Sequence, residues 1–107
     1  MSCNVIFTDT AKSDLLDIAS SLAERTKDKT LAIRFVRELQ QETKRLEQFP
    51  ESGALPRDRV LKSSGYRFLV HGDYLLFYLY EKGENTVYIT AVFHGKRDYM
   101  RAMRDLL

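Results

Sequence analysis

Residues 66–94 read YRFLVHGDYLLFYLYEKGENTVYITAVFH, and the period of this stretch decides the fold. Tyr66, Phe68 and Val70 alternate with Arg67, Leu69 and His71, the two-residue repeat of a strand with two distinct faces. The triplet HGD at 71–73 supplies a tight turn, and residues 74–80 form an apolar run of the length expected for a buried strand. A second polar turn, EKGEN at 81–85, follows. Val87, Ile89, Ala91 and Phe93 then fall on one side of a further strand, with Tyr88, Thr90 and Val92 on the other. Three strands joined by two short turns predict an antiparallel meander. With Tyr66, Phe68, Val70 and the Val87 series turned to the core, Arg67, His71 and His94 are expected on the opposite, partly open face.

Upstream of the meander the period changes. Residues 50–59, PESGALPRDR, carry both prolines and separate helices from strands. Before them, Ala11, Leu15, Ile18 and Leu22 recur at helical spacing, with Lys12, Asp14, Asp17 and Glu24 left mostly to solvent. A second stripe runs through Ala32, Phe35, Val36, Leu39, Thr43 and Leu46, and the polar stretch at 24–30 divides the two. Facing apolar stripes predict an antiparallel helical hairpin. The β-prone run NVIFT at 4–8 precedes it, with Thr8, Asp9 or Thr10 placed to cap the first helix. Beyond the meander, Met100, Met103 and Leu107 lie at helical spacing beside Arg97, Arg101 and Arg104, which predicts a short basic amphipathic helix. The order β-α-α-β-β-β-α is that of an α+β domain, a helical hairpin on a twisted, mainly antiparallel sheet.

A chain of 107 residues closes one modest core, so a single domain, 1–107, is expected. Its longest apolar run falls far short of the roughly 20 residues that cross a bilayer, and nothing at the start reads as a signal peptide. A cytoplasmic protein with no membrane partner is expected. The single cysteine, Cys3, has no partner for a disulfide or a zinc site, and no metal or cofactor is implied. The net charge is only +2, but residues 57–107 hold nine Lys and Arg against six Asp and Glu, making that half the better candidate to meet phosphate.

No phosphate-cradling glycine loop, serine elbow or metal-binding His-Glu helix occurs, which leaves metal-free chemistry. RNA is cut without metal when one group takes a proton from the 2′-hydroxyl, cations stabilise the phosphorane and an acid protonates the leaving oxygen. His94 is the natural proton-transfer group, Arg67 and Arg97 suit the phosphate through their guanidinium forks, and Tyr99 is a donor or stacking partner. Arg57, Arg59, Lys62 and Lys96 are candidate RNA contacts around them. Plainer readings stand beside these: His71 is a hairpin-turn residue, Arg67 an exposed strand cation, and Tyr74, Tyr78 and Tyr80 packing groups with polar tips.

Five segments, AKSDLLDIA (11–19), LEQFPESG (46–53), LKSSGYR (61–67), YLLFYLY (74–80) and VYITAVFHGKRDY (87–99), together resemble the RelE/ParE superfamily of bacterial type II toxins, in the same order and over nearly the whole chain. The resemblance implies a microbial-RNase-like fold, a cognate antitoxin and growth arrest when the antitoxin is lost, the role associated with plasmid stabilisation. In the RelE-like branch, ribosome-dependent mRNA interferases, the two arginines correspond to Arg67 and Arg97. The histidine of the YoeB-like branch corresponds to His94. The tyrosine after that histidine is Gly95 here, the RelE tyrosine of the last helix falls on Met103, and the RelE lysines fall near Asp58 and Val60. The ParE-like branch instead implies inhibition of DNA gyrase by binding. The paired arginines and His94 tip the sequence reading toward a metal-independent endoribonuclease acting with ribosome and mRNA, with gyrase as the alternative. In both, Met100, Met103 and Leu107 are the expected antitoxin contacts.

Overall fold

The structure, a computed structural model, describes residues 2–95 together with Arg101 and Met103. Strand β1 (Asn4–Phe7) leads into α1 (Asp9–Thr26) and α2 (Lys29–Glu42), whose last turn tightens into a 3₁₀ segment, Thr43–Glu47. A short helix, α3 (Arg59–Ser63), precedes β2 (Tyr66–His71), β3 (Tyr74–Glu81) and β4 (Thr86–His94). The sheet order is β1-β4-β3-β2, with β1 parallel to β4 and the other pairs antiparallel. The expected meander and helical hairpin are present. Arg101 and Met103 have helical backbone, and the rest of the expected last helix lies outside the described residues.

Local chemistry sets the boundaries. Thr8 caps α1 by accepting from the Ala11 amide at 3.2 Å, and Lys27, in the left-handed region at φ 57°, ends it. Asp28 immediately caps α2 through the Leu31 amide at 3.0 Å, so two residues turn the hairpin. Asp58 starts α3 in the same way, on the Leu61 amide at 3.0 Å, inside what the sequence reads as loop. The β2–β3 turn needs only Gly72 and Asp73, with Gly72 at φ +58°, a backbone that suits a residue lacking Cβ.

Both faces of the sheet are buried, by different parts of the chain. The larger core joins the inner stripes of α1 and α2, with Leu15, Leu39 and Leu46, to Leu69, Leu76, Tyr78, Val87, Ile89 and Val92. A smaller core on the other face collects Leu61, Tyr66, Phe77, Ala91, Phe93 and Met103. This corrects the facing expected from alternation: Leu69, and with it Arg67 and His71, lies on the helix side, while Tyr66 and Phe68 face the second core. Val70, expected in the core, is exposed. Strand β4 changes allegiance part way. Phe77 pairs with Ala91 but Tyr78 with Ile89, so Thr90 is one residue too many, a β-bulge that breaks the expected Val87-Ile89-Ala91-Phe93 series into two faces.

The outer edge of β4 is covered piecemeal. Strand β1 pairs only as far as Ile89. Beyond it the Thr8 amide donates to the Ile89 carbonyl at 3.0 Å, the Thr8 hydroxyl donates to the Thr90 carbonyl at 3.3 Å, and Asp14 on α1 accepts from the Val92 amide at 2.9 Å. Asp14, expected in solvent, is thus a half-buried partner of the sheet.

Candidate functional site

The sequence-predicted residues fall into separate places. Arg67 sits on the helix side of β2, half-buried, and donates from Nη1 to the Gly53 carbonyl at 3.1 Å. That contact belongs to a knot. The Gly53 amide donates to the Tyr78 hydroxyl at 2.9 Å, and Ala54 and Phe68 exchange two backbone bonds of 2.8 and 3.0 Å. Burial pushes the Tyr78 phenol pKa up, and the Gly53 amide and the nearby Arg67 charge pull it partly back. A side chain at position 53 would meet the Tyr78 ring and hydroxyl at 2.6 Å and the Phe68 carbonyl at 2.9 Å. Arg67 therefore holds the 50–55 segment on the sheet.

His94 closes the last strand at the opposite end. It is exposed, and its ring stands edge-on to Tyr74 at 5.2 Å between centroids. Tyr74 meets Phe35 at 5.3 Å, and Phe35 meets His71 at 6.1 Å, so four rings cross the end of the sheet beneath the helices. A cleft of about 380 Å³ opens between this end and α1, lined by Asp14, Asp17, Ser21, Arg25, Tyr74 and His94 among others. Two carboxylates against one guanidinium give it a negative lining when His94 is neutral, which opposes entry of a phosphate.

Register measures the distance between Arg67 and His94. His71, Tyr74 and His94 form one row across three strands, and Arg67 stands four residues back along β2. At about 3.3 Å per residue and about 4.8 Å per strand, their Cα atoms are roughly 16 Å apart. Leu69, Leu76 and Val92, all buried under the helices, fill the row between. The two groups do not converge on one edge.

Arg57 precedes α3 and Arg59 and Lys62 lie on it, all three exposed around Leu61, which packs into the second core. These three expected RNA contacts thus border the face opposite Arg67 and His94. Met103 is fully buried in that core, so its predicted role as an antitoxin contact is corrected: in this structure it is a packing residue. Arg97, Tyr99, Lys96, Met100 and Leu107 lie outside the described residues. His71 has its two ring nitrogens 3.7 and 3.9 Å from the carboxylates of Glu42 and Glu38, which makes it a tie between α2 and the β2–β3 turn when protonated. Sequence reasoning missed the Gly53 knot and the Asp14 contact. The first has a signal in a glycine two residues before Leu55-Pro56; the second has one in the helical wheel, where Asp14 lies about 60° closer than Asp17 to the Ala11–Leu22 apolar stripe.

Comparisons with known proteins agree with this architecture. The family described as "ParE toxin of type II toxin-antitoxin system, parDE" matches residues 5–99. No curated protein matches the chain. Among solved structures, the chromosomal ParDE toxin–antitoxin system of P. aeruginosa is similar with a TM-score of 0.71 at 20% identity, covering 87% of this chain and 96% of that one. The toxin–antitoxin complex RelBE2 of Mycobacterium tuberculosis is similar with a TM-score of 0.57 at 23% identity, covering 88% of this chain and 99% of that one.

Proposed function

Because this chain belongs to the ParE toxin family of type II toxin–antitoxin systems, we propose that it arrests growth by binding and blocking DNA gyrase, without cutting RNA. The observation that carries the reading is the separation of Arg67 from His94. Cleavage requires the proton-transfer group and the phosphate cation to reach one phosphate, within a few ångströms of each other. Here their Cα atoms stand roughly 16 Å apart and a layer of helix-covered side chains intervenes. Arg67 is engaged on the Gly53 carbonyl, and the cleft at His94 carries opposing carboxylates. A toxin that acts by protein contact has no need of that convergence. A cognate antitoxin neutralises it by covering the acting surface, in line with the complexes that its structural relatives form.

The test is supercoiling of relaxed plasmid by purified gyrase with the protein in stoichiometric excess, beside 5′-end mapping of mRNA on programmed ribosomes. Loss of supercoiling with intact mRNA is the expected result. Cleavage in the ribosomal A-site codon, with gyrase unaffected, would overturn the proposal and return the sequence-based reading.

A further inference from the structure

We propose that the outer face of α2 is a docking strip for the sugar–phosphate backbone of duplex DNA, carried by Arg34, Arg37 and Lys44; its biological setting rests on the gyrase reading above. Spacings of three and seven residues place these cations within roughly 80° of one another around the axis and along about 15 Å of its length. All three are exposed, Lys44 from the 3₁₀ extension, and Gln41 lies among them.

The nearest acids, Glu38 and Glu42, line one cleft with Arg34, Arg37 and Gln41, but their carboxylates lie within 4 Å of His71 and Arg45 and of neither strip arginine. Glu38 is four residues from Arg34, the spacing of a helical ion pair, yet its carboxylate lies 3.9 Å from His71 Nε2. The Glu42 carboxylate lies 3.7 Å from His71 Nδ1 and 3.5 Å from Arg45 Nη1. Arg34, Arg37 and Lys44 make no ion pair among the described residues. Arg34 and Arg37 sit three apart as like charges, an arrangement unfavourable to the helix alone and relieved by an anion along it.

The strip selects its occupant by what it lacks. Protein interfaces gather energy at buried aromatic anchors, and single-stranded nucleic acid binds by stacking its bases on aromatic rings. The exposed face of α2 presents neither, its one large exposed apolar side chain being Ile33 at the margin. A row of cations about 15 Å long spans about two phosphate-to-phosphate steps of a duplex strand, room for three phosphates, and reads no sequence.

Fluorescence anisotropy with a short labelled DNA duplex, between about 50 and 200 mM salt, is the direct test. Three phosphate contacts give a log–log salt slope of about −2.7, or about a 40-fold loss of affinity over that range. The triple variant Arg34→Gln/Arg37→Gln/Lys44→Gln is expected to fold normally by circular dichroism and to lose this salt-dependent binding, each single change taking about 0.9 from the slope. No duplex binding by the wild type, or an unchanged slope in the folded triple variant, overturns the proposal. So does wild-type preference for a polyglutamate peptide over the duplex, with the peptide binding lost in the variant, which would make the strip a protein contact. Failure to inhibit gyrase with duplex binding intact would remove the gyrase reading and leave the strip; inhibition without duplex binding would do the reverse.

Discussion

Replacing Arg67 with alanine separates a structural arginine from a catalytic one. The change removes the Nη1 donor that the Gly53 carbonyl accepts at 3.1 Å, together with the side chain's aliphatic stem. A hydrogen bond from a charged donor contributes about 1.5–3 kcal/mol when buried. Arg67 is only half-buried and water can replace part of the contact, so about 1–2 kcal/mol is the reasonable cost here. At about 4 °C per kcal/mol for a domain of this size, the melting temperature should fall by about 4–8 °C. The loosened element is the 50–55 segment, whose remaining ties include the Gly53–Tyr78 bond, the Ala54–Phe68 pair and the exposed Lys82–Glu51 ion pair at 3.1 Å. Arg67→Lys should recover only part of the loss, because an ammonium lacks the planar fork. Thermal unfolding by circular dichroism measures the shift, and growth arrest on expression, well below the melting temperature, measures function. The expected result is a lower melting temperature with arrest retained. Wild-type stability with arrest abolished would refute the reasoning, since Arg67 would then act on the target and not on Gly53.

Three further perturbations probe the same framework. Gly53→Ala sets a methyl group 2.9 Å from the Phe68 carbonyl and against the Tyr78 ring; since the backbone cannot step aside, urea denaturation should show a loss of about 1–3 kcal/mol, and an unchanged midpoint would mean the segment is not seated as described. Asp14→Ala strips the Val92 amide of its acceptor and should cost about 1–3 kcal/mol, with faster hydrogen exchange at that amide, whereas Asp14→Asn, which keeps an acceptor oxygen, should restore protection. Burial raises the phenol pKa values of Tyr78 and Tyr66 above their ordinary value, so the unfolded chain releases these protons first; stability should be flat up to about pH 10 and fall above it, and less steeply in Tyr78→Phe. A urea midpoint that stays constant well above pH 10 would contradict the burial of these hydroxyls.

The elements were legible in the sequence because each satisfies a local rule that the tertiary structure leaves intact. Ala11, Leu15, Ile18 and Leu22 form one stripe, Thr8 is a cap, and the two-residue turn at Gly72 closes a hairpin whose strands alternate. Facing was not legible, for a physical reason. Strand β2 carries apolar groups on both sides, Tyr66 and Phe68 against Leu69, and β3 does the same with Phe77 against Leu76 and Tyr78. A period of two divides such a strand into faces without saying which receives the helices. Choosing the face with more aromatic residues puts Arg67 in the open, and the helices cover the other one. Helix α3 was hidden because it spans five residues, too few for an apolar period, and announces itself only through the Asp58 cap. The basic strip on α2 was masked by counting charge over residues 1–56, where eight cations and nine acids nearly cancel.

The bulge at Thr90 decides what the sheet can do chemically. Thr90 is held on both sides, its hydroxyl donating to the Phe77 carbonyl at 3.3 Å and its own carbonyl accepting from the Thr8 hydroxyl at the same distance. The extra residue lets one strand supply both cores: Val87 and Ile89 pack under the helices, Ala91 and Phe93 cross to the second face, and Val92 and His94 return to the helix side. In a regular strand of the same nine residues, His94 would stand on the face opposite Val87, and therefore opposite Arg67. With the bulge, the two share a face but remain roughly 16 Å apart across packed side chains. Neither register brings His94 to a phosphate held by Arg67. Cleavage on this scaffold would need its cation from elsewhere in the chain, with Arg97 the sequence's remaining candidate, so Arg97→Ala that leaves growth arrest and gyrase inhibition intact would remove the last cation on which the nuclease reading depends.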